Sequence, residues 1–234
     1  MNTSILFLVV FLFSVKSYAA VTSGHSIGFN LGLVNASQNQ MNDLIKRANT
    51  REGGISTGEM NSAYELQGFY MYRFGNPLYA IQLRPSYFYQ VEEGSGSSGD
   101  FNYSLTGFTI FPILRLYPLE NEYMKFYMQL GVGYGQIYGT IEEGSAKVEF
   151  SGGAFGTMVG LGSEFCLNAN HCLSLEGNYR YLSHQRFGVD SSEGTFAADS
   201  LSQYGKGQEL EMDQSDVSAR MGGIIFMAGY TMWF

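Results

Sequence analysis

Phe126-Tyr127-Met128-Gln129-Leu130-Gly131-Val132-Gly133-Tyr134-Gly135 is the stretch on which the fold turns. Phe126, Met128, Leu130, Val132 and Tyr134 take every second position, against Gln129, Gly131, Gly133 and Gly135. A helix would bring apolar side chains together every third or fourth residue; a period of two belongs to a β-strand with one apolar face. On its other face, glycine and glutamine leave little bulk.

The same alternation recurs on both sides of this stretch. Ile27, Phe29, Leu31 and Leu33 share a face, as do Tyr64, Leu66, Tyr70, Tyr72 and Phe74 opposite Glu65, Gln67 and Arg73. Tyr79, Ile81, Leu83, Tyr87 and Tyr89 oppose Gln82, Arg84, Ser86 and Gln90. Downstream lie Phe155, Val159, Leu161 and Phe165, then Leu173, Leu175, Tyr179 and Tyr181, then Ile224, Phe226, Tyr230, Met232 and Phe234. The segment from Phe101 to Tyr117 is the least regular: its parity shifts near Gly107 and Pro112, which predicts a bulge or an edge strand. Eight strands result, with no helix needed between them.

The minor face decides the surroundings of the major one. It carries Gly, Ser, Asn and Gln, with Glu65, Glu164 and Glu176 against Arg73, Arg84, Arg115 and Arg180. Charges at strand centres must be paired if buried, so these seven residues are expected to form a network inside a barrel. The apolar face, rich in tyrosine near strand ends, is then turned to lipid. The predicted fold is all-β, an eight-stranded antiparallel up-and-down transmembrane β-barrel.

Composition agrees. Thirty glycines, 18 Phe, 17 Tyr and a charged fraction of 15% in 234 residues exclude disorder, which needs high charge and few aromatics. A net charge of -8 argues against nucleic acid as a partner. The near-zero mean hydropathy of -0.06 is the average of two opposite faces. Ile5 to Phe13 is an apolar run too short to span a bilayer, and with Ser17 and Ala19 it reads as a signal peptide over residues 1–19. Residues 20–234 are the barrel domain.

The connections Ser37–Met60, Glu92–Asp100, Glu142–Gly152 and Arg186–Asp213 are long, and alternate with the short Gly75–Pro77, Leu119–Tyr123 and Leu167–His171. Outer-membrane barrels alternate in this way, short turns facing the periplasm and long loops the outside. Both termini then lie in the periplasm.

The phrases Phe126–Gly135 and Leu173-Ser174-Leu175-Glu176-Gly177-Asn178-Tyr179-Arg180-Tyr181 resemble the fifth and seventh strands of small OmpA-like outer-membrane β-barrel proteins. Ala228-Gly229-Tyr230-Thr231-Met232-Trp233-Phe234 resembles the assembly signal of that class. The resemblance implies that Phe234, with Met232 and Tyr230 before it, is read by the barrel-assembly machinery. It also implies a Gram-negative outer-membrane location amid lipid and lipopolysaccharide. No peptidoglycan-binding domain is seen after the barrel, so the tethering role of the long members is not expected.

Candidate chemistry is sparse. Cys166 and Cys172 flank a short turn and by parity both point inward, which allows a cross-strand disulfide in an oxidising periplasm or a pair of free thiols. Ser183 and His184, with Asp190 and Glu193 beyond, have the residue types of a lipid A acyl hydrolase. Being adjacent, however, they point to opposite faces, and a solvated strand end is the simpler expectation. The loop Arg186–Asp213 holds six acids against two bases, suited to bridging lipopolysaccharide through divalent cations or to staying soluble and exposed. Gly94–Gly99 reads as a flexible hairpin tip, and Leu44, Ile45 and Ala48 mark a short helix over the barrel mouth. The expected role is non-enzymatic, in membrane integrity, loop presentation or adhesion, without cofactor or metal and as a monomer. A narrow channel through the voids left by inward glycines is the alternative, and a lipid-modifying enzyme the second.

Overall fold

The computed structural model describes residues 24–75, 78–202 and 205–234; the leader assigned to residues 1–19 lies outside them. Eight long strands run in chain order: β1 (Gly24–Asn35), β2 (Ser62–Arg73), β3 (Tyr79–Gly96), β4 (Gly99–Glu120), β5 (Met124–Glu143), β6 (Ala146–Cys166), β7 (His171–Tyr181) and β8 (Gly223–Trp233). One helix, α1 (Asn39–Arg51), lies between β1 and β2. Each strand is antiparallel to its neighbours, and the β1–β8 ladder from Ser26↔Trp233 to Asn35↔Ile224 closes the ring. Among the described residues, no helix is long and apolar enough to cross a membrane.

Alternation along each strand sends one face out and one in. Val132, Leu175 and Phe226 are 62%, 58% and 67% exposed, whereas the intervening Gln129, Glu176 and Met227 are buried. This apolar belt facing outward is the reverse of a soluble protein, and it fits lipid.

β4 is where the sequence reading goes astray. Its parity does not shift at Gly107 or Pro112; odd residues face inward from Phe101 to Tyr117. What changes is the inner environment, apolar at Phe101, Tyr103, Leu105, Phe111 and Ile113 and charged at Arg115. Pro112 is exposed on the outer face, and the register to β5 is the same on both sides of it. The one irregularity lies between Leu116 and Leu119, beside Pro118.

Two of the four long connections are also not loops. β3 and β4 continue to the pair Gly96↔Gly99, and β5 and β6 to Glu143↔Ala146, leaving two-residue turns at Ser97–Ser98 and Gly144–Ser145. Gly144 supplies the positive φ that such tight hairpins need. The short strand Gly188–Glu193 adds to the extended edge of β6 at Lys147–Ser151. The barrel thus has a turn end and a loop end. Beyond the apolar belt, the loop end carries a taller sheet wall, roofed by α1 and by the connection between β7 and β8.

Candidate functional site

The interior divides into two chemically distinct halves. In the turn-end half, charge from six strands meets within a few ångströms. Glu176 of β7 accepts from Arg84 of β3 at 2.8 and 3.0 Å, from Tyr127 Oη at 2.7 Å and from Gln129 Nε2 at 3.1 Å. Arg115 of β4 also reaches Glu176, donates to Glu164 at 3.1 Å, and lies 4.0 Å over the Tyr127 ring. Nearer the loop end, where Glu65 is paired across the sheet with Phe88, Arg180 grips Glu65 with both terminal nitrogens at 2.7 Å and donates Nε to the Met221 carbonyl. Arg73 pairs with Glu120. All seven network residues expected from the sequence are therefore lumenal and ion-paired. Glu120, which the sequence pattern places in a turn, joins them, with Lys125 of β5 3.8 Å from its carboxylate.

In the loop-end half the lumen is apolar. Phe88, Phe111, Ile137, Val148, Phe150 and Leu182 belong to one buried cluster that takes in Met41, Leu44, Ile45 and Ala48 of α1. Inward glycines leave no voids here: a Cβ on Gly133 would sit 2.6 Å from the Phe111 ring, and one on Gly139 would strike Phe150. The glycines are small because neighbouring rings occupy their space.

Polar groups of α1 fasten the cap. Arg51 donates to Glu143 of the wall at 2.8 Å and to Asp199 of the β7–β8 connection at 2.6 Å, and Arg47 pairs with Asp213. Hydrogen bonding from Arg47 holds the Asp213 carboxyl below its usual range. Just past the helix, Glu52 accepts from Ser97 Oγ, Ser98 Oγ and the Ser98 amide at 2.6, 2.7 and 2.9 Å. The two serine hydroxyls, with the amide, bring its carboxyl down to about 2. Gly94–Gly99 is accordingly a pinned hairpin rather than a flexible tip. The acidic connection is folded too, its Asp199 and Asp213 committed to α1. Glu209, Glu211 and Asp216 do converge at the surface, but Arg186 stands 3.9 Å from Glu209 and 3.2 Å from Asp216.

Cys166 and Cys172 face each other across β6 and β7 and are joined by a disulfide. His184 is not at a solvated strand end: it is 1% exposed, with Nε2 3.2 Å from the Gly135 carbonyl. Ser183 and His184 make no hydrogen bond to each other among the described residues, and Glu193 lies exposed at the edge of β6, its backbone paired with Lys147. A nucleophile, base and acid in series are not assembled here. At the C-terminus, the Phe234 amide donates to the His25 carbonyl at 2.9 Å, and Phe234 itself is 63% exposed.

Residues 5–204 match the family profile of the outer membrane protein beta-barrel domain. The chain belongs to that family. As a member of the outer membrane protein beta-barrel domain family it is a bacterial outer-membrane protein, its strands the spanning elements. Its structure is similar to that of the outer membrane protein OprG from Pseudomonas aeruginosa, with a TM-score of 0.59 at 14% identity over 94% of this chain and 99% of that one. Ail, the attachment invasion locus protein of Yersinia pestis, aligns with a TM-score of 0.44 at 13% identity over 91% of this chain and all of its own. Neisserial surface protein A gives 0.44 at 12% over 90% and 97%. At these identities the likeness is one of fold. No curated protein matches the sequence.

Proposed function

We propose that this outer-membrane barrel is non-enzymatic and non-conducting, and that it supports membrane integrity while presenting its folded cap at the cell surface as an adhesive or partner-binding face. The observation that carries this reading is a lumen filled from end to end. Arg115 and Glu164 in one half, and Phe111 and Ile137 in the other, are each at most 1% exposed. A barrel of eight strands has room for little beyond its own side chains.

In this reading both termini and the short turns are periplasmic and the cap is extracellular, with lipopolysaccharide around the upper belt. The protein acts as a monomer, and its last strand, ending in Tyr230, Met232 and Phe234, is the surface offered to the barrel-assembly machinery. Planar-bilayer recording tests the central claim: the expected trace is silent, and a steady ion conductance overturns it. Incubation with lipopolysaccharide, with His184→Ala as the control, is expected to release no acyl chains. Removing Phe234 is expected to lower the yield of heat-modifiable barrel in the membrane, whereas Phe234→Tyr keeps it.

A further inference from the structure

His184 is the one histidine of the loop end, and nothing in the proposed function uses it. Its short strand, Ser183–His184, pairs with Ala219–Arg220, so the imidazole sits where the β7–β8 connection both leaves and rejoins the barrel. The ring stacks on Phe187 at 6.0 Å between centroids, Nε2 meets the Gly135 carbonyl, and the buried Nδ1 has no hydrogen-bond partner. Phe187 in turn holds the returning chain, its carbonyl accepting the Leu210 amide at 2.9 Å. Beside His184 lie Ala219, its ladder partner, and Leu182, whose side chain packs on Gly135 of β5 and Gly156 of β6.

The surrounding charges offer no counter-ion. β5 presents Gly135 with the uncharged Gln136 beside it. Arg220 is exposed next to Ala219, and Arg186 is exposed and taken by Asp216 and Glu209. Below, Arg180 is neutralised by Glu65 and the Met221 carbonyl. An added proton on His184 would therefore be a buried cation facing an apolar wall and the backbone carbonyls of Gly135 and Ala219, with no carboxylate to neutralise it, a costly state unless the ring reaches water.

From this geometry we infer that His184 is an acid-sensitive latch: uncharged, it seats the β7–β8 connection over the barrel mouth, and on protonation it releases that connection. The sign follows from linkage. The open state binds the proton at the ordinary histidine value of about 6.5 and the closed state resists it, so closure is complete above that value and weakens as the pH falls. Asp213 and Glu52, the cap carboxylates held below their usual range, stay ionised down to pH 5 and add nothing in this window.

Hydrogen exchange of the full barrel in lipid nanodiscs reads the latch directly. The amides of Val189, Leu210 and Val217 bond to Gln208, Phe187 and Leu210 carbonyls and report closure of the connection. Their protection factors, corrected for intrinsic exchange, are expected to fall by up to about 30-fold from pH 7.5 to pH 5. Those of the β3–β4 hairpin should hold. His184→Gln and His184→Phe should each keep the connection protected equally at both pH values. Unchanged wild-type protection overturns the proposal, as does the same pH dependence in the variants. Loss of protection in both variants at both pH values would make the ring simple packing and equally count against a latch.

Discussion

Glu176 gathers two guanidiniums, a phenol and two amides around one carboxylate, and that concentration makes it the most sensitive position in the lumen. Replacing it with Gln keeps the volume but leaves Arg84 and Arg115 buried with a partner short. Breaking a buried pair from one side costs about 3–5 kcal/mol. Urea unfolding of the barrel in lipid vesicles should show a loss of that size for Glu176→Gln. Adding Arg84→Met to the same chain should recover part of it, since the stranded charge is then gone. Steric limits are as local. Gly133→Ala would drive a Cβ to 2.4 Å from the Ile110 carbonyl, whereas Gly68 has nothing within 4 Å. The first substitution should cost about 1–3 kcal/mol and the second less than about 0.5 in the same assay. Period-two parity made the seven lumen charges legible, because it says which side a residue faces. It does not say which strands face one another across a closed ring. The bond from Arg84 to Glu176, 92 residues apart, therefore became visible only with the barrel closed.

Elements differ in how openly the sequence declares them. β5 and β7 are plain, since a glycine or polar inner face contrasts with an aliphatic or aromatic outer one. β4 is disguised because its inner face is largely apolar from Phe101 to Ile113, so both faces look alike and the alternation seems to slip. The hairpin extensions were hidden for a related reason: Glu93, Asn102 and Glu142 stand above the lipid belt, where an outward face is polar and strand looks like loop. α1 announced itself through Leu44, Ile45 and Ala48, yet its anchors are long-range and silent in sequence. Glu52 is the clearest of these. With its carboxyl held at about 2, the contribution of its bonds to Ser97 and Ser98 is full above the ordinary carboxylate range and fades only as the pH falls toward 2. The Ser98 amide, bonded to Glu52, should therefore keep its exchange protection from pH 8 down to pH 4 in the wild type. In Glu52→Ala it should lose that protection throughout, while the amides of β5 stay unchanged.

At the scale of the whole molecule, the barrel carries two seals in series. One is the charged lattice of Glu65, Arg84, Arg115, Glu164, Glu176 and Arg180; the other is the apolar packing beneath α1 and the β7–β8 connection. Arg180 joins them, through the Met221 carbonyl and beside the Phe111 ring, and each fills the full width of a narrow lumen, so either alone should block ions. The ladders show how to separate them. Asn35 faces Ser62 and Arg180 faces Gly223, so the first loop can be cut to an Asn-Gly turn. Joining Tyr181 to Gly222 then removes the second, leaving a barrel without its cap. Such a barrel should still migrate as a heat-modifiable band and remain silent in a planar bilayer, because the lattice persists. The full-length chain bearing Arg84→Ala, Arg115→Ala and Glu176→Ala should also stay silent, being closed from above by the cap. Only the two changes together should open a steady conductance. Conductance from the cap-less barrel alone would mean that the lattice passes ions and that the cap is the gate, which would replace the structural role with a channel.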